Sequence, residues 1–167
     1  ISHVALRRIN GAERNTPFMV LEGIEIDKDE RDCLIIKSDL LPENPLITND
    51  IIRLENDRSF HWVGRADNMI NSGGVKVIPE VIEKLAKPYL NTNFFFAGLK
   101  DEKLGERVVL IIESQPLSET DQTDLIEDLR RDLHKHELPK EILYLDAFAE
   151  TENGKLNRAK TLKLLPK

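Results

Sequence analysis

At 167 residues and 40% apolar content, the chain is long enough to bury a core in one good domain or two small ones. Its 24 basic and 30 acidic residues leave a formal charge of −6, which argues against the broad basic face of a non-specific nucleic-acid binder. A single cysteine, Cys33 in the apolar run CLII, excludes an internal disulfide framework; it fits a reducing, cytoplasmic setting and reads as a small buried hydrophobe rather than a nucleophile. No apolar run approaches the roughly 20 residues of a bilayer span, and no charged-then-apolar leader opens the chain, so a soluble protein is expected. The start, ISHVALRRIN, lacks a methionine and already alternates like a strand, which reads as a piece of a longer protein.

Up to Arg65 the pattern predicts short strands at FMVLEGIEI, DCLIIKS, NDIIRLE and SFHWVG. Turn formers such as Asp27-Lys28-Asp29 and Asn56-Asp57 separate them, so hairpins are expected. The periodicity then changes. Pro79 suits the first turn of a helix in which Val81, Ile82 and Leu85 recur at helical spacing. Strands follow at NFFFAGL and RVVLIIE, then a second helix around Asp121 to His136, a strand at EILYL and a last short helix after Asn157. In the second helix Leu125, Leu129 and Leu133 make one apolar stripe and leave Glu127, Asp128, Arg130 and Arg131 to solvent. His134 and His136, two apart on that predicted helix, point away from each other and make a poor chelating pair. The fold class expected is α+β: a β-rich segment over 1–64, then a small α+β domain over 65–167 with a three-stranded sheet flanked by helices. The joint falls on Gly64-Arg65-Ala66-Asp67, and there is no internal repeat or low-complexity segment.

Three constellations have chemical potential. In HWVGRADNMINSGGVKVIPEVIEKL, an arginine and an aspartate (Arg65, Asp67) precede Ser72 and the pair Gly73-Gly74 at the predicted joint. Paired glycines tolerate positive φ and let a ligand or another backbone approach, so they serve either as a tight turn or bulge or as the lining of a narrow channel. In ETENGKLNRAK, the turn former Asn153-Gly154 presents Lys155 at a loop tip, either as a solvated lysine or as a cation carried into a site elsewhere. In LITNDIIRL, Asp50 interrupts an apolar strand between Ile47 and Ile51-Ile52; its carboxylate either accepts from neighbouring hydroxyls, as a ribose offers, or caps a turn.

The run TND, then GRADNMINSGG with IPEVIE, then TENGKLNR resembles the C-terminal third of the adenylate-forming acyl-CoA synthetases, over nearly the whole chain. Within that superfamily, SHVALR and NMINSGGVKV look most like the o-succinylbenzoate-CoA ligase branch of menaquinone biosynthesis. The resemblance implies a two-step reaction on ATP, Mg and CoA with a carboxylic acid substrate. It implies that residues 1–64 end a large N-terminal adenylation domain and that 65–167 form a mobile C-terminal domain. By the same resemblance Lys155 matches the catalytic lysine, Asp50 and Arg65 match the positions that hold the ribose hydroxyls, Asp67 matches the hinge, and Ser72, Gly73 and Gly74 border the pantetheine tunnel. No metal ligand is expected in this stretch. The phosphate loop and the Mg-holding segment of the family would lie upstream of Ile1, so the isolated chain is expected to be inactive, and Ser2 and His3 are candidates to reach the acyl pocket.

The chain departs from the family pattern in two places. The usual Thr-Gly-Asp triplet reads Thr48-Asn49-Asp50, and Ala149 and Glu150 stand where a proline and a basic residue are common, which puts an acidic group close to Lys155. Two rival readings share the fold: an adenylation domain that loads a carrier-protein pantetheine, expected to be followed by a carrier domain, and a non-catalytic interaction module, which would be free to lose Lys155, Asp50 and Arg65.

Overall fold

The computed structural model describes residues 3–11 and 16–166, so Ser2 lies outside the described residues, and His3 is exposed at their start. The chain divides into two compact units, 1–68 and 69–167. The division follows Asn68 rather than Gly64, because Arg65 is still paired in the last ladder of the first unit and Ala66–Asn68 form a 3-10 turn that continues it.

The first unit holds one antiparallel sheet of six strands: β1 (Ala5–Leu6), β2 (Phe18–Val20), β3 (Glu25–Lys28), β4 (Cys33–Lys37), β5 (Leu46–Asn56) and β6 (Ser59–Arg65). They lie side by side in the order β1-β2-β6-β5-β4-β3. The predicted FMVLEGIEI strand is two strands, since Gly23 at φ +75° turns the chain between them. Val20, Ile24, Leu34, Ile36, Ile52 and Phe60 form the core, and the Phe18 ring stacks on Phe60 at 5.4 Å. The Arg58 guanidinium donates to the carbonyls of Val20, Leu21 and Ile24, which ties the β2–β3 connection down. Cys33 is fully buried, and burial pushes its thiol pKa up, away from nucleophilic use.

The second unit has β7 (Ile70–Ser72), β8 (Val75–Val77), β9 (Phe94–Asp101), β10 (Gly105–Glu113) and β11 (Glu141–Leu145), with helices α1 (Pro79–Ala86), α2 (Glu119–Asp132) and α3 (Arg158–Leu162). The sheet therefore has five strands instead of three. β9, β10 and β11 are its centre, and the β7–β8 hairpin joins through the pairing of Ser72 with Gly105. β10 runs antiparallel to β9 and parallel to β11. Its side chains alternate: Val108, Leu110 and Ile112 pack with Ile82, Ala86, Leu125 and Leu129 of α1 and α2, whereas Val109 and Ile111 pack with Phe95, Phe148 and Leu162. Both faces are covered, which explains why RVVLIIE reads as a continuous apolar run rather than an alternation.

Two helix expectations need correction. On α1 the buried side is Pro79, Ile82 and Ala86, while Val81 and Leu85 are exposed. The second helix ends at Asp132, where Leu133 turns extended, so His134 and His136 lie in the following turn rather than on a helix. Its start is set by Ser118, whose hydroxyl accepts from the Asp121 N–H as an N-cap. Among the described residues no helix is long and apolar enough to cross a membrane.

Candidate functional site

In the first unit, Asp50 and Arg65 face each other across the β5–β6 ladder. Arg65 Nη1 donates to Asp50 Oδ1 at 3.3 Å, and its Nη2 donates to Asp67 Oδ2 at 2.7 Å, so one guanidinium joins two of the sequence-selected carboxylates. The pair is half exposed, at 36% for Asp50 and 45% for Arg65. Asp50 does not cap a turn: it is within β5, where its N–H donates to Thr48 Oγ1, and that hydroxyl donates to the Leu34 carbonyl. Asn49 stands outward and accepts from Arg31 Nη1 at 3.3 Å, so the Asn departure takes a local partner without moving the carboxylate out of register.

Sequence reasoning missed Trp62, which donates its indole N–H to Asp50 Oδ1 at 3.2 Å. Trp62 and Arg65 are three apart and would face opposite sides of a regular strand. A bulge resolves this: Ile51 pairs with Gly64 and Ile52 with Trp62, leaving Val63 as the extra residue, so both flanking side chains reach Asp50. Nothing in the composition marks a bulge. The only available signal was the odd spacing between an exposed aromatic and the arginine.

In the second unit, Gly73 and Gly74 form the two-residue turn of the β7–β8 hairpin, with φ of +63° and +85°. Positive φ at both central positions is what such hairpin turns demand, so the tight-turn reading of the glycine pair holds as local structure. The turn is pinned from one side, since the Gly73 N–H donates to the Leu104 carbonyl at 2.8 Å. Both glycines are exposed, whereas Ser72 is buried beneath them at 4%.

Lys155 lies on a tight loop in the same unit. The Thr151 N–H donates to the Lys155 carbonyl at 2.7 Å, Gly154 N–H to the Thr151 carbonyl at 2.9 Å, and Gly154 takes φ +69°. The Lys155 side chain is exposed, and its ammonium makes no ion pair among the described residues, Glu150 included. Below the loop Thr161, fully buried, accepts from Ala149 N–H and donates to the Asn157 carbonyl, fastening both ends.

A second feature missed in the sequence is the pair of Glu83, which closes IPEVIE, with Arg158, three residues after the lysine. Their contact is bidentate, at 2.6 and 2.7 Å, and both are mostly buried, with exposures of 17% and 21%. The same two groups take the N–H and carbonyl of Phe96 on the outer edge of β9, and the guanidinium lies 5.3 Å from the Phe95 ring centre. One buried charge pair thus ties α1, β9 and the lysine segment together. Glu83 was visible as a charge beside the apolar residues of its helix, whereas Arg158, among Asn157, Lys155 and Lys160, carried no such signal.

No family model matches the chain. Over 113 residues it is 29% identical to a probable CoA ligase of Humulus lupulus, covering 66% of this chain and 21% of that protein. A crystal structure of an acyl-CoA synthetase (AMP-forming)/AMP-acid ligase II-like protein from Dyadobacter fermentans matches at 35% identity with a TM-score of 0.59, covering 99% of this chain and 48% of that one. The o-succinylbenzoate CoA synthetase of Bacillus subtilis matches in fold, with a TM-score of 0.69 at 21% identity over 89% of this chain and 35% of that one. The relatives and structural neighbours are therefore AMP-forming acyl-CoA ligases, and the chain spans about a fifth of the length of the curated relatives it matches.

Proposed function

We propose that this chain belongs to an AMP-forming acid–CoA ligase, in which its first unit binds the nucleotide ribose and its second unit carries the groups that alternate between two half-reactions. The observation that carries the reading is the Asp50–Arg65 pair, a carboxylate and a guanidinium held side by side on adjacent strands at partial exposure. A ribose diol donates to the carboxylate, and the guanidinium holds one of its oxygens by a hydrogen bond.

In the first half-reaction the substrate carboxylate oxygen attacks the α-phosphorus of ATP, and the bond to the pyrophosphate oxygen breaks, giving an acyl-adenylate and pyrophosphate. Lys155, at the closing end of a tight turn and with no ion pair of its own among the described residues, would supply positive charge to the crowded phosphoryl oxygens. In the second, the CoA thiol gives its proton to solvent, its sulfur attacks the acyl carbon, and AMP leaves with the electron pair of the broken acyl–oxygen bond. Gly73 and Gly74 would border the pantetheine, since their missing side chains keep the hairpin tip narrow, and buried Ser72 would support them from below. Asp67, next to the last residue of the first unit, is proposed as the pivot between the two states. Among the described residues no group of three His, Cys, Asp or Glu side chains is placed to hold a metal ion, so no step is assigned to Mg. The acid we favour is o-succinylbenzoate, on the likeness of SHVALR and NMINSGGVKV to that branch.

The test uses the protein at its full natural length. Lys155→Ala is expected to lower acid-dependent ATP–pyrophosphate exchange by about 100- to 1,000-fold, while thioester formation from preformed acyl-adenylate and CoA stays within a few-fold. Unchanged exchange would remove Lys155 from the chemistry. With wild-type protein, o-succinylbenzoate should drive exchange faster than fatty or short dicarboxylic acids, and the reverse ranking would overturn the assignment of the acid alone.

A further inference from the structure

The Asp50 carboxylate receives two donors, and both reach the same oxygen. Trp62 Nε1 lies 3.2 Å from Oδ1 and Arg65 Nη1 lies 3.3 Å from it, while no described residue donates to Oδ2. Arg65 is shared, because its shorter bond, at 2.7 Å, goes to Asp67. A guanidinium divided between two carboxylates restrains Asp50 weakly. The Trp62 indole has one N–H, and among the described residues it donates to Asp50 alone.

Burial does not account for the tryptophan. Trp62 is 43% exposed and takes no part in the Phe60-centred core of its own unit. A bulge costs a ladder bond and is commonly found where a side chain must be re-aimed. Here it is Val63, left without a cross-strand partner, that lets Trp62 and Arg65 both address Asp50.

We infer that Trp62 is a positioning residue for nucleotide sugar recognition: its indole N–H holds Asp50 Oδ1, so that Oδ2, with both lone pairs free of donors among the described residues, is the oxygen offered to a vicinal diol. This rests on the assignment of Asp50 to the ribose. It makes the discrimination between ribose and deoxyribose, and not catalysis, the property that Trp62 controls.

The test measures KM and kcat of the full-length enzyme for ATP, 2′-deoxy-ATP and 3′-deoxy-ATP, in wild type, Trp62→Phe and Trp62→Tyr. Both variants keep an aromatic ring on the strand and remove the indole N–H. They should raise KM for ATP about fivefold, change kcat and the KM for CoA by less than about twofold, and leave the KM for the deoxy nucleotides nearly unchanged, so the preference for ribose collapses. A preference equal to wild type in both variants overturns the inference and leaves the proposed function standing. So does an equal rise of KM for all three nucleotides and for CoA, because that marks a packing defect. If wild type itself shows no preference for ATP over the deoxy forms, the ribose assignment of Asp50 fails and this inference fails with it.

Discussion

The two units place their candidate residues by different physical means. In the first, the side chains hold one another: Asp50, Arg65, Asp67 and Trp62 form a chain of hydrogen bonds laid across β5 and β6, so each group is oriented by its neighbours. In the second, the glycine pair makes a hairpin turn and Lys155 closes the base of a tight loop. Gly73 and Gly74 contribute only backbone, Lys155 has no ionic partner among the described residues, and what is fixed is the frame beneath them: the Glu83–Arg158 pair, buried Thr161 and the bond from Gly73 to Leu104. A binding group benefits from fixed orientation. A group that must meet a charge only during part of a cycle benefits from a rigid base and a side chain with no ionic partner.

The sharpest way to break this comparison is to cut the frame. Arg158→Ala should leave Glu83 mostly buried without its partner and release the edge of β9. Allowing for the one-fifth exposure of the pair, the loss should be about 2–3 kcal/mol in urea denaturation. A loss under about 0.5 kcal/mol would mean that the frame is held by apolar packing alone. The glycine hairpin gives a smaller and more selective effect. Alanine at Gly73 combines positive φ with a Cβ 3.2 Å from Leu104 Cδ2, whereas at Gly74 nothing lies within 4 Å. Gly73→Ala should therefore cost about 1–2 kcal/mol and Gly74→Ala about 1 kcal/mol, measured by thermal melting; equal losses would show that Leu104 yields freely.

The smallest effect expected is a pH dependence in the second unit's frame. Asp101 Oδ1 accepts the N–H groups of Leu104 and Lys103 at 2.9 Å each, and these two bonds lower its carboxyl pKa below the ordinary 3.8. A depressed folded-state pKa means that the stabilisation is present above 3.8 and is lost as the pH falls through the depressed value. Asp101→Asn should flatten the acid limb of a stability-versus-pH curve below that point without changing its shape near neutrality. A curve superimposable on wild type would show that the β9–β10 turn contributes nothing to acid sensitivity.

Much of this was legible in the chain itself. Short apolar and alternating runs bounded by turn formers marked the strands, RVVLIIE among them, though its place at the covered centre of the second sheet was not read from it. Asn153-Gly154 and Gly73-Gly74 announced turns because few other residues take positive φ cheaply. The α1 face was misjudged because Val81, Ile82 and Leu85 all suit an apolar stripe, and only packing onto the sheet, β9 first, selects Pro79, Ile82 and Ala86.

Local sequence therefore determined where the chain extends, coils and turns, and which polar residues interrupt apolar runs, since propensity and periodicity act within a few residues. Only the tertiary structure decided which distant groups meet. The bulge at Val63 brings Trp62 to Asp50, and the β9 edge joins Glu83 to Arg158 across 75 positions of sequence. Such pairings depend on register and on how sheets and helices close around a core, and no local pattern encodes them.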